Sequence, residues 1–210
     1  SGKTSLFNCV TGIYRPTSGA IRLRGESILG LSPDEVTRRG IARTFQNLRL
    51  FHNMTVLDNI MVGRHLHFRK NFAAVLLRLR GEEIRHRRRC EEIIEFLNLE
   101  MVRKSRVADC SYGLQKRVEM GRALATEPRL LLLDEPVSGL NQEEKDEFAY
   151  WIHEIRGRFA ITVLLVEHDL RIASRLATRM VALDHGVKIA EGSPAEVQRH
   201  PDVIKAYLGE

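Results

Sequence analysis

The sequence predicts an α/β fold, a parallel sheet with a helical lobe inserted into it, and three observations predict it. Short apolar runs alternate with longer amphipathic stretches, the pattern of strands joined by helices. Each of the clearest runs ends abruptly on a polar, acidic turn. The stretch from about 54 to 109 reads as wholly helical and strandless, so it is expected to be a lobe set into the sheet-bearing core.

Taken along the chain, the elements follow from local chemistry. Gly2-Lys3-Thr4-Ser5 leads into Leu6, Phe7 and Val10, so a helix is expected to start there. Ser32-Pro33-Asp34-Glu35 opens a short helix as a capping box with proline at its first position, and Gly40 stops it. A charged helix over about 82–97 places Ile93, Ile94 and Leu97 on one face, as lobe core. Runs 130–133, 160–166 and 180–183 read as strands buried on both faces. Asn141 caps a helix from 142 to about 158, and Asp169 caps another to about 177.

Composition narrows the function classes. The 210 residues fit one large domain, or one domain with an inserted lobe, and 43% hydrophobic with 29% charged residues excludes a disordered chain. The longest apolar run, 72–77, is far short of the ~18 residues of a membrane helix. Three cysteines at no metal-ligand spacing suit a reducing compartment. The net charge of +6 is local: residues 61–90 hold nine Lys/Arg against two Glu, and the remainder is close to neutral. That patch reads as a solvated face, or as a contact with membrane subunits and anionic headgroups.

The chemistry-bearing residues fall into two halves of a phosphate site. Gly2-Lys3-Thr4 entering a helix is the end of the P-loop pattern G-x-x-x-x-G-K-S/T. Helix N-terminal amides attract phosphate, Lys3 is placed to bridge β- and γ-phosphates, and the Thr4 hydroxyl to ligate Mg²⁺. Four leucines followed by Asp134-Glu135 form a Walker B pattern, in which Asp134 is the metal partner and Glu135 the general base. His168 follows the next strand, where its side chain can reach a γ-phosphate.

The segment Cys110-Ser111-Tyr112-Gly113-Leu114-Gln115-Lys116-Arg117 resembles the ABC signature L-S-G-G-Q and the helix after it. Gln46 in Arg43-Thr44-Phe45-Gln46 resembles a Q-loop, and Ser138-Gly139-Leu140-Asn141 a D-loop. All these motifs, with His168 as the switch histidine, occur in the order of an ABC ATPase. The stretches 11–19, 43–51, 135–141 and 200–210 resemble the ATP-binding subunits of branched-chain amino acid importers. Relatives serving urea, short amides or lipopolysaccharide export share parts of the pattern.

The resemblance implies a P-loop NTPase core of the RecA-like kind, formed by 1–48 and 116–210, with a helical signature subdomain at about 49–115. It implies an ATPase that uses ATP and Mg²⁺ and powers import through two permease subunits at the cytoplasmic face of the plasma membrane. A binding protein would take part indirectly, and nucleic acid is not expected as a partner. Two copies, or a copy and a sister ATPase, would close head to tail over two ATPs. Lys3, Thr4, Ser5, Gln46, Asp134, Glu135 and His168 of one would face Ser111 and Gly113 of the other, and Gly2 and Gln115 are also implied to bind ATP. Thr4, Gln46 and Asp134 are the implied Mg²⁺ ligands; Glu135, His168 and Gln46 are the implied catalytic set.

Two departures accompany the resemblance. Tyr112 replaces a glycine, and Leu114 stands where glutamine is usual, with Gln115 next. Family members also carry strands before the P-loop, including an adenine-stacking aromatic, so the chain reads as an N-terminally truncated member that binds ATP weakly as written. A chromosome-type ABC ATPase is disfavoured because only 64 residues, 47–110, separate Gln46 from Ser111. A ribosome-associated one is disfavoured because there is a single motif set. Glu135 and His168 argue against a non-catalytic regulatory domain.

Overall fold

A computed structural model describes residues 2–68 and 81–207. The apolar run 72–77 and Arg69, Lys70, Arg78 and Arg80 of the basic patch lie outside the described residues, as do residues 208–210 of the C-terminal stretch.

The described chain enters on helix α1 (Lys3–Val10), whose Phe7 is buried. Strands β1 (Arg22–Leu23) and β2 (Glu26–Ser27) form a hairpin. Its two turn residues, Arg24 and Gly25, both have positive φ, the geometry that matches the twist of paired strands. Helix α2 (Pro33–Arg38) starts as its capping box requires, with Glu35 Oε2 accepting from the Ser32 amide at 2.8 Å. Strand β3 (Ile41–Arg43) follows.

The chain then leaves for the helical region. Helix α3 (Val56–Val62) is capped by the Thr55 hydroxyl, which accepts from Asp58 N, and runs into a 3₁₀ turn at Gly63–His67. Helices α4 (Gly81–Phe96) and α5 (Tyr112–Ala125) pack against it. Ile60, Ile93, Ile94, Leu97, Val118 and Met120 interlock there with essentially no exposure. Among the described residues of 54–109 the only strand-type pairing is an isolated bridge between Thr55 and Arg106.

Strands β3, β4 (Leu130–Asp134) and β5 (Thr162–Val166) form a parallel sheet in that order. The leucines of β4 alternate. Leu131 and Leu133 face the cluster shared with α3, α4 and α5, while Leu132 packs on Phe7, Val36 and Ile41 on the other face. Helix α6 (Gln142–Phe159) makes the crossover from β4 to β5, capped by Asn141 Oδ1 on the Glu144 amide at 2.9 Å. Helix α7 (Leu170–Leu176) leaves β5 with Asp169 as its cap.

The run at 180–183 departs from expectation. As β6 (Met180–Asp184) it pairs antiparallel with β7 (Val187–Gly192), not parallel within the main sheet. The reason is the turn: His185 and Gly186 both take positive φ, which closes a two-residue hairpin, whereas a parallel neighbour needs a long crossover. Val181 is half exposed, so this strand is not buried on both faces, and Leu164 of β5 is likewise partly open. Helices α8 (Pro194–Gln198) and α9 (Pro201–Tyr207) cover β6 and β7 through Val197 and Val203.

Candidate active site

The site lies where the ends of β3, β4 and β5 meet. Because parallel strands present their C-terminal ends on one edge, Arg43, Asp134 and Val166 bring Gln46, Glu135 and His168 together from three distant parts of the chain. The Gln46 amide nitrogen donates to Glu135 Oε2 at 3.0 Å, and His168 Nδ1 stands 3.8 Å from the same oxygen. Glu135 is one of few non-glycine residues with positive φ, at 48°. Strained backbone of this kind persists only where surroundings over-determine it. Here the Glu135 amide donates to the Val166 carbonyl at 3.0 Å, and its own carbonyl accepts from Ser138 N and Lys116 Nζ.

Asp134, the last residue of β4, is buried and paired with Arg43, whose Nη2 lies 2.8 Å from Oδ2. The same guanidinium donates through Nη1 to Asn8 Oδ1 at 2.6 Å, which ties β3 to α1. The Arg43 guanidinium lies over the rings of Phe7 and Phe45, 5.4 and 5.0 Å from their centroids. Sequence reasoning assigned Arg43 only to a motif and missed this contact.

Gly2 precedes α1 with φ 78°, a left-handed conformation that glycine adopts without strain. Thr4 and Ser5 are exposed in the first turn of α1. The Lys3 ammonium sits 5.2 Å over the Tyr207 ring, so this lysine is drawn to α9 and not to the Glu135 cluster.

The signature residues begin α5. The Ser111 hydroxyl caps the helix, accepting from Leu114 N at 3.4 Å. Gln115 Nε2 donates to the Cys110 carbonyl at 2.9 Å, closing the turn before the helix. Tyr112 stands over Gly139, where an added Cβ would be 3.0 Å from the ring. The tyrosine therefore occupies space that the D-loop glycine leaves open. At Gly113 a Cβ would come within 2.4 Å of Glu144 Oε1, the carboxylate that completes the capping box of α6. Signature, D-loop and the start of α6 are thus in direct contact within one chain.

Several other charged groups are structural. Arg64, counted in the basic patch, is buried and donates to the Ala125 carbonyl at 2.8 Å and to His86 Nδ1 at 3.2 Å. Arg89 is paired with Glu92 and Glu127. Glu167, between β5 and His168, is buried with neither carboxylate oxygen hydrogen-bonded among the described residues, and burial pushes its carboxyl up from the usual range. No group of three or more potential metal-ligating His, Cys, Asp or Glu side chains occurs among the described residues. None of the described helices is long and apolar enough to cross a membrane.

A profile described as ABC transporter matches residues 1–138, and one described as branched-chain amino acid ATP-binding cassette transporter matches 187–210. The high-affinity branched-chain amino acid transport ATP-binding protein BraF of Pseudomonas aeruginosa is 41% identical over all of this chain and 84% of its own length. LivG of Escherichia coli, with the same description, is 37% identical at the same coverage. A crystal structure of the ADP conformation of an ATP-binding cassette of an ABC transporter superimposes with a TM-score of 0.84 at 29% identity, covering all of this chain and 84% of that one. Its relatives bind nucleotide as ATPases coupled to transport, and the P-loop NTPase fold is common to them. The chain belongs to the ABC transporter family, as one of its ATP-binding cassettes.

Proposed function

We propose that this protein hydrolyses ATP to drive import of branched-chain amino acids through two partner permease subunits, bound peripherally at the cytoplasmic face of the plasma membrane. The observation that carries the cargo is the match of residues 187–210 to the branched-chain amino acid cassette, together with the likeness to BraF over the whole chain. A second ATPase subunit completes each site, and a substrate-binding protein delivers the cargo. The working division is a core of 1–48 and 116–210 and a signature subdomain of about 49–115.

The roles follow from the chemistry of each group. Backbone amides at Gly2, Lys3, Thr4 and Ser5 receive phosphate oxygens, and the Lys3 ammonium neutralises their charge. Thr4, Gln46 and Asp134 offer only oxygen donors, with one carboxylate among them, which suits a Mg²⁺ ion that takes its other ligands from phosphate and water. When bound, Mg²⁺ offsets the charge that builds on the β- and γ-phosphate oxygens. Glu135 accepts a proton from the attacking water, Gln46 orients it, and His168 contacts the γ-phosphate. The Ser111 hydroxyl, the Gly113 amide and Gln115 of one subunit reach the γ-phosphate held by the other, which makes closure of the pair a condition of turnover.

The test is transport by the assembled system. The subunit is reconstituted with its permeases and binding protein in lipid vesicles, and uptake of leucine, isoleucine, valine and urea is followed with and without ATP. ATP-dependent uptake of the three branched-chain amino acids is expected. ATP hydrolysis stimulated by urea or another solute, with no branched-chain uptake, would overturn the cargo.

A further inference from the structure

One buried lysine stands outside all the roles assigned above. Lys116 lies on α5 with only 4% of its surface exposed, and its Nζ donates to the Glu135 carbonyl at 3.3 Å. Burying an ammonium is unfavourable unless it is paired and hydrogen-bonded. The groups around it are the Tyr112 ring, 5.4 Å from Nζ and one helical turn earlier, and the carboxylates of Glu119, Glu135 and Glu167. Burial pulls the Lys116 pKa down and those carboxylates pull it back up.

The geometry of α5 sharpens the point. Lys116 and Glu119 are three residues apart and so share a face. Glu119 is also buried, and its Oε1 accepts from the Phe45 amide at 3.3 Å. The two charged residues on this face therefore hold the backbone at Glu135 and the backbone next to Gln46. Those are the two residues whose side chains form the 3.0 Å hydrogen bond at the site. A merely space-filling helix face would need no charge at either position.

We propose that Lys116 is a positioning residue for Glu135: its ammonium holds the Glu135 carbonyl, and with it the left-handed backbone turn that aims the carboxylate at Gln46 and His168. The inference rests on Glu135 being the general base. It has a consequence for coupling. The helix that presents Ser111 and Gly113 to the nucleotide of the opposite subunit also holds the base of its own site. A shift of α5 on docking is thus passed to Glu135 through one hydrogen bond, without a change in the sheet.

The experiment measures ATP turnover, ATP affinity and melting temperature in the assembled transporter for Lys116→Met, Lys116→Gln, Glu135→Gln and the double variant Lys116→Met/Glu135→Gln. Removing the donor lets the carboxylate drift, so kcat for Lys116→Met is expected to fall about tenfold to a hundredfold, with ATP KM within about twofold. Lys116→Gln keeps a donor and recovers part of that loss. In the Glu135→Gln background the Lys116→Met change has no further effect, because the group it positions is gone. Wild-type kcat in Lys116→Met, or the same fold-loss in both backgrounds, overturns the inference while leaving Glu135 as the base. Unchanged turnover in Glu135→Gln overturns the base itself. If Lys116→Met does not fold, Lys116→Gln with and without Glu135→Gln decides by the same comparison, since its shorter reach leaves a kcat loss of at least about threefold.

Discussion

Arg43 and Asp134, 91 residues apart in the chain, form an ion pair whose side chains are 6% and 2% exposed, with Nη2 2.8 Å from Oδ2. A charge pair this deep is held by geometry more than by net stability, since each ion has lost its hydration. Arg43 also donates to Asn8 and lies over the rings of Phe7 and Phe45.

Removing the cation alone strands the Asp134 carboxylate in the interior. Arg43→Met is expected to lower stability by about 3–5 kcal/mol. Adding Asp134→Asn should recover part of that, because no buried charge then lacks a partner. Chemical denaturation of wild type, both single variants and the double variant checks this. Equal destabilisation by Arg43→Met in the presence and absence of the Asp134 charge would refute the pairing.

The contact between α5 and the 3₁₀ turn that follows α3 depends on a missing side chain. At Gly63 a Cβ would lie 2.2 Å from the Arg122 carbonyl oxygen and 2.9 Å from the Ala125 methyl. A backbone oxygen on a packed helix cannot move aside as a flexible side chain can. Gly63→Ala is therefore expected to cost about 1–3 kcal/mol, as overpacking does, and to lower the urea midpoint accordingly. A wild-type midpoint would show that the turn and α5 are not packed this closely.

Acid sensitivity of the helical region should trace to His86. Burial, and then the Arg64 guanidinium whose Nε donates to its Nδ1, hold its pKa below the ordinary 6.5. Below 6.5 the unfolded chain takes up a proton that the folded chain resists. The stability present above 6.5 is thus lost progressively as pH falls. His86→Gln keeps an acceptor for Arg64 and cannot titrate, so its melting temperature should fall less than that of wild type between pH 7.5 and 5.5. Identical falls would remove His86 from the account.

What was legible in the sequence was local. Asn141, Ser32 with Glu35, and Asp169 each announce a helix by its cap, and each cap is formed. The four leucines of β4 read as a buried strand because both sheet faces are covered. Strand β3 is three residues long and owes its existence to pairing with β4, some ninety residues away, so no local pattern marks it. The run at 180–183 has the same apolar character as 130–133, and only its neighbour across the His185-Gly186 turn makes it an antiparallel hairpin. At the site, the motif residues Gln46, Glu135 and His168 were found by order and spacing, and the structure brings them together. Arg43 and Lys116 were not singled out, because their partners are carboxylate and carbonyl groups far along the chain. Arg64 was misplaced in a surface patch because charge counts do not reveal burial.

The most direct test is ATP turnover by Glu135→Gln beside its ATP binding, measured in the transporter with its permease subunits. A general base contributes about 10²- to 10⁴-fold, so turnover should fall by at least about a hundredfold while ATP is bound as tightly as by wild type. Turnover at the wild-type rate in Glu135→Gln would contradict the account at its centre.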